Sequence, residues 1–310
     1  MNATEKVVKF KECAVVVGIN DGDAIVSRDF IRIDVGHPCE VSDLPHIPET
    51  MEKEAAAATY DNTIYVTGLG INNADIWKYN LSCGWSKCAS MAHGRRRHSV
   101  AFIEEVLYIC GGFFDAHESV LDSVEAFNVV RNECTTVGKL NQPIQASSNG
   151  LALERSIYIF GGKDKDRNSV IHGQVYNTEQ NTCTVLSQAM PRASHLMRVA
   201  LCDNYIVLIG GSTCFLFNLK TQTWHERQQF KTDVVQFGLI LQNGRIFVIG
   251  GGVGKSNEDG KVAWNCRDDI RCFPVTSFIG NKAAEWEVRG RLPRPSLIQA
   301  YAKMKFPVEQ

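Results

Sequence analysis

Cationic and aromatic residues are bunched along this chain in a way that suits recognition of another molecule. Arg95-Arg96-Arg97-His98 is a compact positive run, Phe113 and Phe114 follow a glycine turn, and Trp264 sits in a polar stretch. Arginine beside exposed aromatics is the pairing that dominates hot spots between proteins. Bond-making chemistry has no comparable constellation. Gly250-Gly251-Gly252-Val253-Gly254-Lys255-Ser256 looks like a phosphate loop, but the Gly needed five positions before Gly254 is Ile249, and a polar stretch follows where a helix must begin. The segment therefore reads as a surface loop. The eleven cysteines and eight histidines are dispersed, and the nearest cysteine pairs, Cys83 with Cys88 and Cys266 with Cys272, lack the two-residue gap of a zinc knuckle. No catalytic residue, metal or cofactor is expected.

Composition bounds the rest. The chain has 310 residues, 44% of them hydrophobic and 22% charged, with a net charge of −1, which points to no polyanionic partner such as nucleic acid. No window reaches the ~18 to 20 consecutive apolar residues of a membrane span. The first residues, MNATEKVVKFKE, are charged and lack an apolar core, so secretion is not expected and the matches to a glycosylation acceptor at Asn2 and Asn80 carry no weight. Cys110, Cys134, Cys183 and Cys202 fall at apolar strand positions, as core thiols do in a reducing compartment. The expected location is the cytoplasm, with the nucleus as a further one.

The elements that must position the cationic and aromatic residues repeat. An apolar strand ending in glycine returns six times, at Gly18, Gly68, Gly111-Gly112, Gly161-Gly162, Gly210-Gly211 and Gly250-Gly251, at intervals of 50, 43, 50, 49 and 40 residues. Ahead of the last five copies lies another apolar strand and a polar turn, at Asp61-Asn62, Glu104-Glu105, Glu154-Arg155, Asp203-Asn204 and Asn243-Gly244, the signature of a hairpin. A third strand ends in an aromatic and Asn at Tyr79-Asn80, Phe127-Asn128, Tyr176-Asn177 and Phe217-Asn218, where Asn is expected for its tolerance of left-handed geometry. A fourth strand follows, with Trp85 or Trp224 as core plug and Cys134 or Cys183 in its place elsewhere.

Four strands per repeat with a double glycine after the second resemble the kelch motif, whose unit is one blade of a β-propeller. The resemblance covers nearly the whole chain, and it departs from the pattern at Gly18-Ile19, at Gly68-Leu69, in the three copies lacking Trp and in the long stretch from Phe273 to Trp286. It implies an all-β, six-bladed propeller of four-stranded antiparallel blades as one domain over residues 1–310. Blade 1 takes 13–50 plus 294–308, blade 2 takes 51–93, blade 3 takes 94–142, blade 4 takes 143–192, blade 5 takes 193–231 and blade 6 takes 232–293. The chain begins with a second-strand copy and ends with an unpartnered first-strand copy, so Leu297 to Phe306 is expected beside Ala14 to Val17, closing the ring.

In a propeller the strands are committed to packing and the loops at one end carry function. Loops after each double glycine hold Phe113, Phe114, His117, Lys163, Arg167, Trp264 and Arg267. Connections into each first strand hold Arg95, Arg97, His98, Arg192, His195, Gln236 and Arg294. These are the candidate partner-binding residues. The repeat style is similar to the propeller of the BTB-BACK-Kelch family, which implies a non-catalytic substrate receptor: the propeller captures a protein or peptide, while BTB and BACK domains, absent from this chain, dimerise and bind the cullin-3 ubiquitin ligase. The family's ligand-contacting Arg lies about fourteen residues before a double glycine. Arg97 takes that place, Arg294 its equivalent before the closing strand, and Glu54, Ser147, Leu196 and Gln236 the others. An acidic or phosphorylated segment is the expected ligand, held by Arg97 and Arg294 and stacked on Phe113, Phe114 or Trp264. The isolated ring is expected to be monomeric. A non-degradative scaffold is the alternative, and a copper radical oxidase, which needs a Tyr, Cys and His cluster, a more distant one.

Overall fold

The computed structural model describes residues 9–20, 27–50, 55–69, 74–146, 149–227, 230, 232–256 and 262–308. These residues form six four-stranded antiparallel sheets arranged as the blades of a propeller. Blade 3 shows the plan. Its innermost strand Ser99–Ile103 pairs with Val106–Cys110, then Ser123–Asn128, then the outermost Glu133–Lys139. Ala56–Tyr60, Leu151–Leu153, Arg198–Cys202 and Gly238–Gln242 hold the innermost place in blades 2, 4, 5 and 6. In blade 1 that place belongs to Leu297–Pro307, from the far end of the chain. It pairs antiparallel with Phe10–Asn20, in a register that sets Ala14 opposite Lys303 and Val17 opposite Ala300. The ring is thereby closed by hydrogen bonds between its two ends, and each blade keeps only short edges at the channel and at the rim.

Each innermost strand has a sheet neighbour on one side only. Its other edge turns to a central channel of about 610 Å³, lined by residues from every blade, among them Thr59, Phe102, Leu151, Leu201, Leu241 and Lys303. The hairpins leading out of these strands turn on residues with positive φ: Asp61, Asn62, Glu104, Glu154, Asp203 and Asn243.

Asn at the end of the third strand acts differently from the sequence expectation. Asn80, Asn128, Asn177 and Asn218 are not among the positive-φ residues. Each uses its side-chain oxygen to accept two backbone N–H groups, as Asn128 does from Val130 at 3.0 Å and Arg131 at 2.9 Å. The same cap recurs at Asn80, Asn177 and Asn218. The left-handed residue comes later in the turn, at Gly84, Asn132, Asn181 and Gln222. Asn is thus present for its acceptor oxygen.

Packing occurs between blades. Trp85 of blade 2 lies 5.1 Å from Phe30 of blade 1, and Trp224 of blade 5 meets Phe160 of blade 4 edge-on at 5.7 Å. Cys134 and Cys183 pack on the preceding blade in the corresponding places. Double glycines serve the same seam. Gly112, at φ +105, donates its N–H to Ile144 of the connection into blade 4 at 2.7 Å, and a Cβ there would stand 2.8 Å from the His98 Cβ. Blade 6 is elaborated by the hairpin of Gly252–Ser256 with Val262–Cys266 and by a short helix, Val275–Ile279, and blade 3 by a smaller hairpin after its double glycine. Gly250 to Ser256 therefore leads into a strand. Phe273, Phe278 and Trp286 close that blade's core, with Phe273 and Trp286 4.4 Å apart.

Candidate partner-binding face

Connections into the innermost strands meet around one mouth of the channel. Arg97, Ala146, Leu196 and Gln236 stand there at φ 56, 52, 56 and 53. Their backbones join blade to blade: the Ala146 N–H donates to the Arg97 carbonyl at 2.9 Å, Leu196 to Ala146 at 2.9 Å, and Ile298 to Gln236 at 2.6 Å. This belt fixes the equivalences that counting residues could not. Blade 4 places Ala146 on the rim where Ser147 was expected, and blade 1 places Ile298 there in place of Arg294. Glu54 and Ser147 lie outside the described residues.

Three consecutive arginines go to three environments. Arg95 is wholly buried and ion-paired with Glu125, and it donates to the carbonyls of Gly111 at 3.0 Å and Ser123 at 3.3 Å. Burial pulls its pKa down while Glu125 acts against that. A side chain with no exposed surface touches no partner, so Arg95 leaves the set of contact residues. Arg96 donates from Nε to both Asp115 oxygens at 3.0 Å and lies over the Phe113 ring at 4.8 Å. Arg97 remains on the rim.

His98 is also corrected. It is 6% exposed, its Nε2 is 2.6 Å from Thr67 Oγ1, and burial followed by the Arg95 charge pushes its pKa down to about 3. It is a neutral wall of a cavity of about 40 Å³ at the mouth, shared with Arg97, Leu196, Arg198, Gln299 and Tyr301. Gln236, 7% exposed, contributes to the belt through its backbone.

Three of the expected cations already hold carboxylates of this chain. Arg192 pairs with Glu226 and Arg294 with Asp29, while Arg267 reaches Asp269 at 3.1 Å. Arg167, at φ 66, closes a tight turn by donating its N–H to the Asp164 carbonyl at 3.1 Å. A surface ion pair contributes little stability, but a partner must displace it to use the cation. Trp264 is in the blade 6 hairpin, its ring beside Gly254, where the sequence suggested an irregular loop.

The other candidates lie nearer the mouth. Phe113 and Phe114 are half-buried in a small hairpin with Ser119 and Val120, and Phe114 stands 5.5 Å from His93 and 5.0 Å from His117. Lys163 is bridged through its backbone to Gln145, beside Ala146 of the belt, and to Ser169. His195 precedes Leu196, and its Nδ1 is 3.2 Å from Ser169 Oγ. Burial, and after it the charges of Lys163 and Arg97, hold the His195 pKa below its ordinary value.

Sequence reading missed the residues that narrow the channel below the rim. Asn149 of blade 4 donates to the Val199 carbonyl at 3.1 Å and accepts the Val199 N–H at 3.0 Å, filling a place on the free edge of blade 5. Tyr301 of blade 1 donates its hydroxyl to the same Asn149 oxygen at 3.1 Å, and Arg198 lies 5.6 Å from its ring. Burial pushes the Tyr301 pKa up to about 12. Arg198 opens an apolar strand, RVALC, and was the available signal. Among the described residues no group of three or more His, Cys, Asp or Glu could hold a metal ion.

The closing strand, the six-blade ring and the glycine seams are those of a known propeller type, and comparison agrees. The kelch motif matches residues 94–141, which is blade 3. The chain is a kelch propeller. This kelch propeller is 25% identical over 245 residues to mouse (Mus musculus) Kelch-like protein 35, covering 77% of this chain and 42% of that protein. It is 28% identical over 260 residues to rat (Rattus norvegicus) Kelch-like protein 24, covering 83% and 40%. The propeller thus spans about two fifths of the length of these relatives. Its fold is also similar to the solved structure described as "Structure of YjhT", with TM-score 0.68 and 13% identity over 83% of this chain and 88% of that one.

Proposed function

We propose that this kelch propeller is a non-catalytic receptor that captures a protein partner at the channel mouth and presents it for ubiquitination by a cullin-3 ligase. Support comes from its homologues, kelch-like proteins of which it spans about two fifths, and from the mouth itself, where the belt sets Arg97 beside Ala146, Lys163 is bridged through its backbone to Gln145, and His195 adjoins Leu196. The observation that carries the reading is the rim belt, because it holds contributions from separate blades at fixed spacing around one concavity. Cullin-3 contact belongs to BTB and BACK domains in this scheme, and the propeller supplies specificity. The location proposed is the cytoplasm, with access to the nucleus.

An acidic segment of the partner meets Arg97 in this scheme, while Phe113 and Phe114 receive apolar side chains. Arg294, held by Asp29, is a peripheral control. The test is affinity capture from cytosol with cullin neddylation blocked, using wild type, Arg97→Glu and Arg294→Glu. A protein retained by wild type and Arg294→Glu and lost by Arg97→Glu supports the reading. Identical captures by all three sink it. A captured protein whose abundance ignores cullin activity would favour a scaffold.

A further inference from the structure

We infer that Arg32 and the cavity beside it form a second binding site, on the face opposite the mouth, for the C-terminal carboxylate of a partner chain whose last residue is apolar. It stands independently of capture at the mouth. The two ends of the ring meet at this face: Phe10 is opposite Pro307, and Val308 donates its N–H to the Lys9 carbonyl at 2.8 Å. Gly18 lies toward the other end of the Phe10–Asn20 strand, on the mouth side. Asn62, in the turn that leads out of the innermost strand of blade 2, donates to the Lys305 carbonyl at 2.9 Å and accepts the Lys305 N–H at 2.6 Å, which sets the site among the outward turns. A cavity of about 300 Å³ lies there, walled by Arg32, Lys11, Asp34, Pro38, Pro307 and Val308.

Arg32 is half-buried. Its guanidinium carbon lies 4.7 Å from the centroid of the Phe306 ring, and its Nε donates to Cys13 Sγ at 3.5 Å. Among the described residues no oxygen of the chain takes a hydrogen bond or an ion pair from this guanidinium. Arg28, Arg198 and Arg227 by contrast each donate to a backbone carbonyl, of Ile47, Phe237 and Phe278. With the ring beside it and Nε engaged, Arg32 keeps the paired N–H groups of its Nη end, an edge that grips a carboxylate through two parallel bonds. A partly desolvated cation without an acceptor carries a penalty that an outside oxyanion relieves. The neighbouring charges suit an oxyanion with a single charge. Lys11 and Asp34 neutralise each other at 2.7 Å, and Glu40, opposite Asp34 in the strand register and also in the cavity wall, repels an anion. Apolar surface adjoins the cation, with Phe10 58% and Val308 43% exposed beside Pro307. A chain terminus meets both features with one residue, because its carboxylate and its side chain leave the same Cα. An Asp or Glu side chain brings the charge without the apolar group.

The probe is the peptide acetyl-Gly-Gly-Leu with a free C-terminus, added to propeller labelled with 15N-arginine while NMR follows the Arg32 Nε–H signal. The expected result is a saturable shift, with affinity about tenfold or more weaker for the C-terminal amide of the same peptide and for acetyl-Gly-Gly-Glu amide, whose carboxylate is on a side chain. Arg32→Met should abolish binding, read from the leucine methyl signals of the peptide, and Glu40→Gln should tighten it about two- to fivefold. Glu40 is at an exposed strand position, so Glu40→Gln decides the matter if Arg32→Met does not fold. No saturable shift, equal binding of the leucine amide, or unchanged affinity in Glu40→Gln overturns the site. Equal binding of the glutamate peptide overturns the chain terminus as its ligand.

Discussion

Blades 3 and 6 place opposite charges at the same position of the third strand and treat them differently. In blade 3 the residue is Glu125, wholly buried, paired with Arg95 and accepting the Ala92 N–H at 2.7 Å. Arg95 in turn spends its other donors on Gly111, Ser123 and His93. Blade 6 holds Arg271, 6% exposed, 3.2 Å from Asp269 and 5.1 Å from the Trp286 ring. Among the described residues its Nε and Nη2 have no hydrogen-bond partner, nor does Asp269 Oδ1. The difference teaches that one strand position can anchor a connection through a complete network or merely tolerate a charge laid on an aromatic ring. Removing one partner from a complete buried network strands the other, whereas an incompletely satisfied cation is replaceable.

The largest effect expected from this contrast is at Glu125. Glu125→Ala leaves Arg95 buried without its counter-charge and should cost about 3–5 kcal/mol, read as a fall in the urea or thermal midpoint. A loss under 1 kcal/mol would break the comparison. Next comes the glycine seam, which both blades share. Gly112→Ala and Gly251→Ala each put a Cβ at positive φ, +105 and +93, within 3.0 Å of neighbouring atoms, and should each cost about 1–3 kcal/mol. Unequal costs would show that the seam is stronger in one blade.

His98 sharpens the blade 3 side through pH. Its pKa is about 3 in the fold against an ordinary 6.5, so the folded state binds fewer protons than the unfolded one between those values. Stability is therefore full above pH 6.5 and falls as pH drops toward 3, by at most about 1.4 kcal/mol per unit. His98→Gln should flatten that slope, and an unchanged slope would remove His98 as its cause. The smallest effect is expected at Arg271→Met, within about 1 kcal/mol of neutral or stabilising, because the methionine keeps contact with Trp286 while removing unpaired donors. A loss above 2 kcal/mol would mean that blade 6 depends on its cation as blade 3 does.

Much of the fold was legible from local signals. Gly111-Gly112 and its copies mark the seams because no other residue fits positive φ against a neighbouring backbone, and the unmatched strands at the two ends announce the closed ring. Asn128 and its counterparts were located correctly but for the wrong physical reason, since a side-chain cap and a left-handed residue both favour Asn at a strand end. The candidate site was less legible. Arg95, Arg96 and Arg97 look alike in sequence, yet an extended segment turns neighbours to opposite sides and the positive φ of Arg97 turns the chain again.

Sequence alone determined the number of blades, the strand order within them and the closure, because those follow from periodicity and from residues acting on their own neighbours. Tertiary structure alone decided which cations are already held by carboxylates of this chain. The carboxylates that occupy Arg96, Arg95, Arg192 and Arg294 lie 19, 30, 34 and 265 residues away. No local pattern encodes that pairing, since Coulomb attraction falls with distance through space and is indifferent to distance along the chain.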